Sequence, residues 1–252
     1  FVEQAQKSFL SRNDMNYILT ELKQSESWLY NYHSKMLQMV STQLGGAEKS
    51  LIERSKKGCK TGQLRFARYN EFRTFTYNQS GFKLNNNKLF LSKIGDIRIK
   101  KHRDTPDNIK QVIVTKTKSC KWYACFTCEL VKVNPPKINF LKSVGIDVGI
   151  KSFAYDSDEH NTPNPLNLKK MLKPLIRVQR KVSRRVKGSN NRLKAIRHLQ
   201  KIHEKITNRR KDFQHKLSST YANHYDVIFV EDLQLTNMAK NHKLARSIMD
   251  SS

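Results

Sequence analysis

Acidic side chains are scarce in this 252-residue chain: 21 Asp and Glu stand against 48 Lys and Arg, a formal net charge of +27. A chain so one-sided calls for a polyanionic partner, and nucleic acid is the first candidate. Long apolar runs are missing as well. None approaches the roughly 20 residues a spanning helix needs, which excludes a transmembrane helix and leaves an acidic membrane surface only as the rival polyanion. The four cysteines (Cys59, Cys120, Cys125, Cys128) form no disulfide framework in a chain of this length, and no secretory leader opens it. These two absences give the expectation of an intracellular protein, cytoplasmic or nucleoid-associated if prokaryotic. There is no G-x-x-x-x-G-K-[ST] phosphate loop and no Gly-Ser-Gly elbow, so phosphate-loop ATPase and hydrolase chemistry fall away. The chain opens on Phe1 rather than Met, and "ARSIMDSS" reads as an interrupted helix, so a fragment is expected.

What is present falls into three zones. Residues 1–65 read as helical: "SWLYNYHSKMLQMVSTQL" sets Leu29, Met36, Leu37, Val40 and Leu44 at helix-like spacing. Residues 66–140 change character. "FRTFTY", "KLFLSKIGDIRIKKH", "IKQVIVTKT" and "WYACFTCEL" are β-branched or aromatic and broken by Asn, Gly, Asp and Ser turns, so they read as strands. "LNNNKL" predicts a hairpin, because Asn tolerates positive φ. "KVNPPK" (132–137) is a stiff linker. A strand at 143–149, a second near 152–156, a long helical stretch over 166–222 and a buried strand "YDVIFVEDL" (225–233) follow, with a further helix starting near 239.

Several tempting features take their ordinary reading. Cys125-x-x-Cys128 is half a zinc site, but odd spacing in a strand sends the two thiols to opposite faces, and no second CxxC exists. Both are expected in the core, as are Trp28 and Trp122. The eight histidines show no HxxxH pair and read mostly as surface residues.

The helical stretch carries most of the charge. Between Lys169 and Lys216 there are 18 Lys and Arg and two acids, Glu204 and Asp212. Leu175, Val178 and Val182 mark the apolar stripe of one helix and Leu193, Ile196, Leu199, Ile202 and Ile206 that of the next, with "KGSNN" (187–191) as the turn. Helices with one apolar stripe and a basic remainder can pack on a core and still face phosphates. Ordinary solvated faces mix signs, whereas this one would repel itself without a polyanion. The candidate phosphate-binding residues are Lys169, Lys173, Arg177, Arg180, Lys181, Arg184, Arg185, Lys187, Arg192, Arg197, Arg209 and Arg210.

"VGIDVGIKSFAY" places one acid, Asp147, in an apolar run, where a buried carboxylate is costly unless paired or coordinated. The second apolar strand ends at Glu231. If a crossover through the helices sets the two strands side by side, both carboxylates meet at one edge of a sheet. Two such acids suit Mg²⁺ or Mn²⁺, and paired ions can clamp a phosphodiester. The competing reading has Asp147 hydrogen-bonded to backbone and Glu231 as a helix N-terminal charge; spacing alone does not choose.

The words "FRTFTYNQSGFKL", "KIGDIRIKKHR", "WYACFTCEL", "VGIDVGIKSFA", the basic stretch from "RVQRKVSRRVKGSNN" to "RRKDFQHKLS", and "YDVIFVEDLQLTNMAKNHKLARSI" resemble, in order and spacing, the TnpB family of insertion-sequence proteins. That family is similar to type V CRISPR effector nucleases. Residues from about 70 to 252 carry the resemblance; the first 65 match loosely. It implies a fold of α/β and β parts. These are a partial helical recognition lobe (1–65), a wedge-like β-barrel (66–140) and an incomplete RuvC-like, RNase H-type nuclease core with a basic helical insertion at about 166–222 (141–252). It implies an RNA-guided DNA endonuclease, of the kind called a transposase, with guide RNA and target DNA as partners, Mg²⁺ or Mn²⁺ as cofactor, and Asp147 and Glu231 as catalytic metal ligands. The family's zinc ribbon and third catalytic Asp fall beyond residue 252, and its first strand before Phe1. Zinc is therefore expected only in that ribbon, Asp250 is not promoted to third acid, and residues 1–252 are expected to bind without cutting. The alternative is a non-catalytic nucleic-acid-binding remnant or regulator of a mobile element.

Overall fold

The computed structural model describes residues 10–66, 71–106, 108–129 and 137–251. The chain divides into two units, Phe1–Lys132 and Val133–Ser252. All but the last residue of the linker expected at 132–137 lies outside the described residues.

In the first unit, helix α1 (Arg12–Ser25) opens on a capping box: Ser11 Oγ accepts from the Asp14 N–H at 3.2 Å and the Asp14 carboxylate accepts from the Ser11 N–H at 2.9 Å. The single helix expected from Trp28 onward is broken. Ser27–Asn31 form a 3-10 turn, and helix α2 (Ser34–Lys56) starts only after His33. Of the expected stripe, Met36 packs on the strand core, whereas Val40 and Leu44 stay about half exposed. Trp28 and Trp122 are also exposed rather than core; the Trp28 indole donates to the Glu26 carboxylate, and the Lys116 ammonium lies 5.3 Å from the Trp122 ring. Each ring has a polar or charged neighbour at the surface, which is why neither needs burial.

Six strands follow: β1 (Thr74–Asn78), β2 (Phe82–Asn85), β3 (Lys88–Leu91), β4 (Gly95–Arg98), β5 (Ile109–Lys116) and β6 (Trp122–Cys128). The β2–β3 hairpin turns at Asn86, whose φ is +48°, as the Asn run predicts. The expected barrel is not closed. Among the described residues the strands form two separate antiparallel sheets, β1-β5-β6 and β2-β3-β4, which share one core of Tyr77, Leu89, Leu91, Val112 and Val114. The four-residue strands of the second sheet use their hydrogen bonds on each other. They meet the first sheet through side chains, with the Tyr77 hydroxyl donating to the Ser92 carbonyl at 2.7 Å. Cys125 is exposed and Cys128 half-buried, so alternation along β6 holds but the core placement does not; β6 is an edge strand with one face open to water.

The second unit holds a four-stranded sheet in the order β10-β7-β8-β9, from β7 (Ser143–Val148), β8 (Ser152–Asp156), β9 (Asn161–Pro163) and β10 (Val227–Val230). The crossover from β9 to β10 is a helical hairpin, α3 (Asn167–Ser183) and α4 (Asn190–His224), and it returns the chain parallel to β7. Leu175 and Val178 of α3 meet Ile202 and Ile206 of α4 in the hairpin's own core, flanked by Leu168, Met171 and Leu199. Ser189 caps α4 by accepting from the Arg192 N–H. The strand expected to be buried over 225–233 is a four-residue edge strand with Phe229 62% and Val230 65% exposed. The helix expected from 239 is replaced by a short α5 (Leu235–Met238) and, after a turn pinned by Asn241 accepting from the Lys243 N–H, α6 (Ala245–Ser251).

Candidate acid pair and basic hairpin

Strand β7 alternates. Val144 is 1% exposed and its face also carries Ala154 and Asp156 of β8, both buried, because cross-strand partners share a face. Asp147 points to the opposite face and is exposed. The premise of a buried acid is therefore corrected: alternation carries Asp147 away from the apolar side, and water meets its charge. Its cross-strand partner is Tyr155. On the other side, Val230 of β10 stands opposite Ile146 in parallel register. Continued by one residue, that register sets Glu231 opposite Asp147. Glu231 is exposed as well. Among the described residues no group of three or more His, Cys, Asp and Glu is placed to hold a metal ion.

One acid that is buried in this sheet is one that sequence reading passed over. Asp156, 3% exposed, ends β8 on the inward face. One carboxylate oxygen accepts from the backbone N–H groups of Asp158 and His160, at 3.1 and 2.9 Å, and lies 3.2 Å from the His160 ring. The other accepts from the Tyr221 hydroxyl of α4 at 2.9 Å. Burial pushes the carboxyl up, but the His160 N–H, the Tyr221 hydroxyl and the His160 ring outweigh it and hold the pKa below the usual value. Next to it the Tyr225 hydroxyl donates to Asp158 at 2.6 Å; that bond, then burial and the nearby carboxylate charges, push the phenol up to about 12. The "YDSDEH" acids carried this signal, since alternation puts Asp156 inward.

The basic residues sit where the helical spacing places them, along α3, α4 and the turn between. Lys169, Lys173, Arg177, Arg180, Lys181, Arg184, Arg185, Lys187, Arg197 and Arg209 are exposed. Arg192 and Arg210 are half-buried and engaged within the protein: Arg192 donates to the Arg185 carbonyl at 2.8 Å, and Arg210 lies 3.5 Å from the Asp250 carboxylate. One of the stretch's two acids, Asp212, is paired with Lys216 at 2.8 Å. The ten exposed cations thus form a single-sign surface on a hairpin with its own apolar core, which can track a phosphate backbone. No helix among the described residues is long and apolar enough to cross a membrane.

Residues 125–242 match the family OrfB_IS605, described as "Probable transposase". A protein of Streptomyces pristinaespiralis named "Putative RNA-guided DNA endonuclease" is 35% identical over 179 residues, 70% of this chain and 44% of that protein. Escherichia coli K12 has "Putative RNA-guided DNA endonuclease InsQ", 34% identical over 218 residues, 85% of this chain and 52% of that protein. The chain spans about half the length of the curated relatives it matches.

Proposed function

We propose that this chain, a member of the probable-transposase family OrfB_IS605 through residues 125–242, works as part of a TnpB-type RNA-guided DNA endonuclease. On this reading residues 141–252 are RuvC-like nuclease core, 66–140 a wedge-like β domain and 1–65 part of a helical recognition lobe. A β-strand hairpin followed by a helical crossover into a strand parallel to the first supports an RNase H-type core. The observation that carries the proposal is the parallel register of β10 on β7, with Val230 opposite Ile146; one residue further along both chains, the same register would set Glu231 beside Asp147.

The donor set fits a hard divalent cation: two exposed carboxylates, one on β7 and one directly after β10, with no thiol or imidazole grouped with them among the described residues. Asp147 and Glu231 would hold Mg²⁺ or Mn²⁺. The ion would supply positive charge against the phosphodiester oxygens and acidify a water. The chain's own part is positional. Strand pairing fixes the two acids, and the α3–α4 cations grip the guide RNA–target DNA duplex by its backbone, leaving sequence to base pairing. A bare acid pair and a phosphate would repel each other, so the basic hairpin also supplies the attraction that brings a polyanion to this unit.

In the protein that carries this chain, Asp147→Ala and Glu231→Ala should each abolish plasmid cleavage with Mg²⁺ and a matched guide. Duplex binding in a gel-shift assay should change less than threefold, an order-of-magnitude allowance for removing one exposed charge. Cleavage that survives either substitution rules out the acid pair as the site.

A further inference from the structure

Helix α3 begins without a cap of its own. Its preceding residue, Leu166, is in the left-handed region (φ +50°, ψ +47°) and has no side-chain acceptor for the free N–H groups of the first turn. The acceptor comes from the far end of the unit. Asp250 in α6, 7% exposed, takes the Leu168 N–H on both oxygens, at 2.8 and 3.0 Å, and the Lys169 N–H at 3.3 Å. A carboxylate there also faces the positive end of the helix dipole. The Arg210 guanidinium of α4, 3.5 Å away, balances its charge. The neighbouring Ser251 extends the contact: its hydroxyl accepts from the Asn164 side-chain amide at 2.9 Å. The same amide nitrogen donates at 2.9 Å to the carbonyl of Ile150, in the turn directly after Asp147. Asn164 also accepts from the Leu166 N–H at 3.0 Å, so one side chain joins the β7–β8 turn, the start of α3 and α6.

We infer that Asp250 and Asn164 are positioning residues. Together they fix α6 and the start of the basic hairpin against the turn that follows Asp147, with Arg210 held in that contact rather than available to phosphate. The phosphate-binding surface then sits at a set place relative to the acid pair. The assignment of Arg210 rests on the phosphate-binding reading above; that of Asn164 and Asp250 stands without it.

Amide hydrogen exchange on the chain tests the junction. Asp250→Ala should speed exchange at Leu168 and Lys169 about five- to tenfold, the effect of losing a helix cap. Both Asp250→Ala and Asn164→Ala should also speed exchange at Gly149, whose N–H donates to the Phe153 carbonyl at 3.3 Å in the turn that Asn164 anchors. A cap of purely local effect would leave Gly149 unmoved, and that result in both variants overturns the inference. Should Asp250→Ala fail to fold, Asp250→Asn keeps one acceptor oxygen and should show the same pattern at lower amplitude. For Arg210 the readout is the salt dependence of binding to a duplex of mixed sequence. Arg209→Gln should reduce the log–log slope by about 0.7–0.9 and Arg210→Gln should leave it unchanged; equal reductions overturn its assignment. A chain showing no salt-dependent binding at all would instead refute the phosphate-binding reading, with the exchange result unaffected.

Discussion

At the scale of single residues, alternation decides which acids are available for chemistry. Asp147 and Asp156 differ by one strand position in register, since Asp147 pairs with Tyr155 and Ile146 with Asp156. One carboxylate is therefore exposed, while its near neighbour is buried and held by three donors, with the His160 ring 3.2 Å away. The same corner holds a pH-sensitive contact. Tyr225 is raised from 10.0 to about 12 while it donates to Asp158. A phenol with a raised folded pKa keeps its proton when the unfolded chain has lost it. Its contribution to stability is thus full below pH 10 and lost as pH rises from about 10 to about 12. Ultraviolet titration of the tyrosines should find one phenol titrating near 12, and Asp158→Asn should return it toward 10; an unchanged titration curve would remove Asp158 as the cause.

At the scale of elements, the helical hairpin was the most legible part of the sequence, because period-3.6 spacing of Leu175, Val178, Ile202 and Ile206 survives inside a run of cations. The β2–β3 turn at Asn86 was legible for a local reason as well, the tolerance of Asn for positive φ. The candidate acids were found because Asp147 interrupts one apolar run and Glu231 ends another. Their exposure was not legible, since an apolar run says neither which face of a strand is covered nor whether the strand is at an edge: Asp147 lies on the face of β7 opposite Val144, and β10 is at an edge. The barrel, the core cysteines and the continuous helix from Trp28 were misread for a related reason: tertiary pairing, not propensity, decides sheet closure and burial. Asp250 and Asn164 gave no signal, because the partners that tie distant elements together are far off in sequence, 82 residues from Asp250 to Leu168 and 87 from Asn164 to Ser251. The hairpin carries its own prediction. Arg184, Arg185 and Arg209 are exposed cations on an element whose core lies on the other side. Replacing all three with Glu should cut the log–log salt slope of nucleic-acid binding by at least about 2, at about 0.7–0.9 per lost contact, with circular dichroism unchanged. An unaltered slope would make them plain solvated surface.

At the scale of the whole molecule, charge and ligand count point in different directions. A net charge of +27 and ten exposed cations on one hairpin favour a polyanionic partner, and neither depends on the acid pair. Hydrolysis asks for more. Two carboxylates can hold one ion, but a pair of ions clamping the attacking and leaving oxygens needs further ligands, and the described residues offer no third His, Cys, Asp or Glu near the two. Two further acids follow in sequence: Asp232 sits in a tight turn in which the Leu233 N–H donates to the Glu231 carbonyl at 3.1 Å, and Asp250 caps α3. Removing one positioned electrostatic group costs on the order of 10²–10³ in rate, and removing a metal ligand should cost at least as much because the ion itself is lost. Residues 1–252 alone should therefore shift guide RNA and duplex DNA in a gel assay, with binding that weakens steeply between low and physiological salt, and should leave a matched plasmid uncut in Mg²⁺. The full-length E. coli relative, of which this chain covers 52%, is the reference in the same assay. Robust cutting by residues 1–252 would show that the acid pair is sufficient or that the site lies elsewhere. Absence of binding would remove the basic hairpin as an interface.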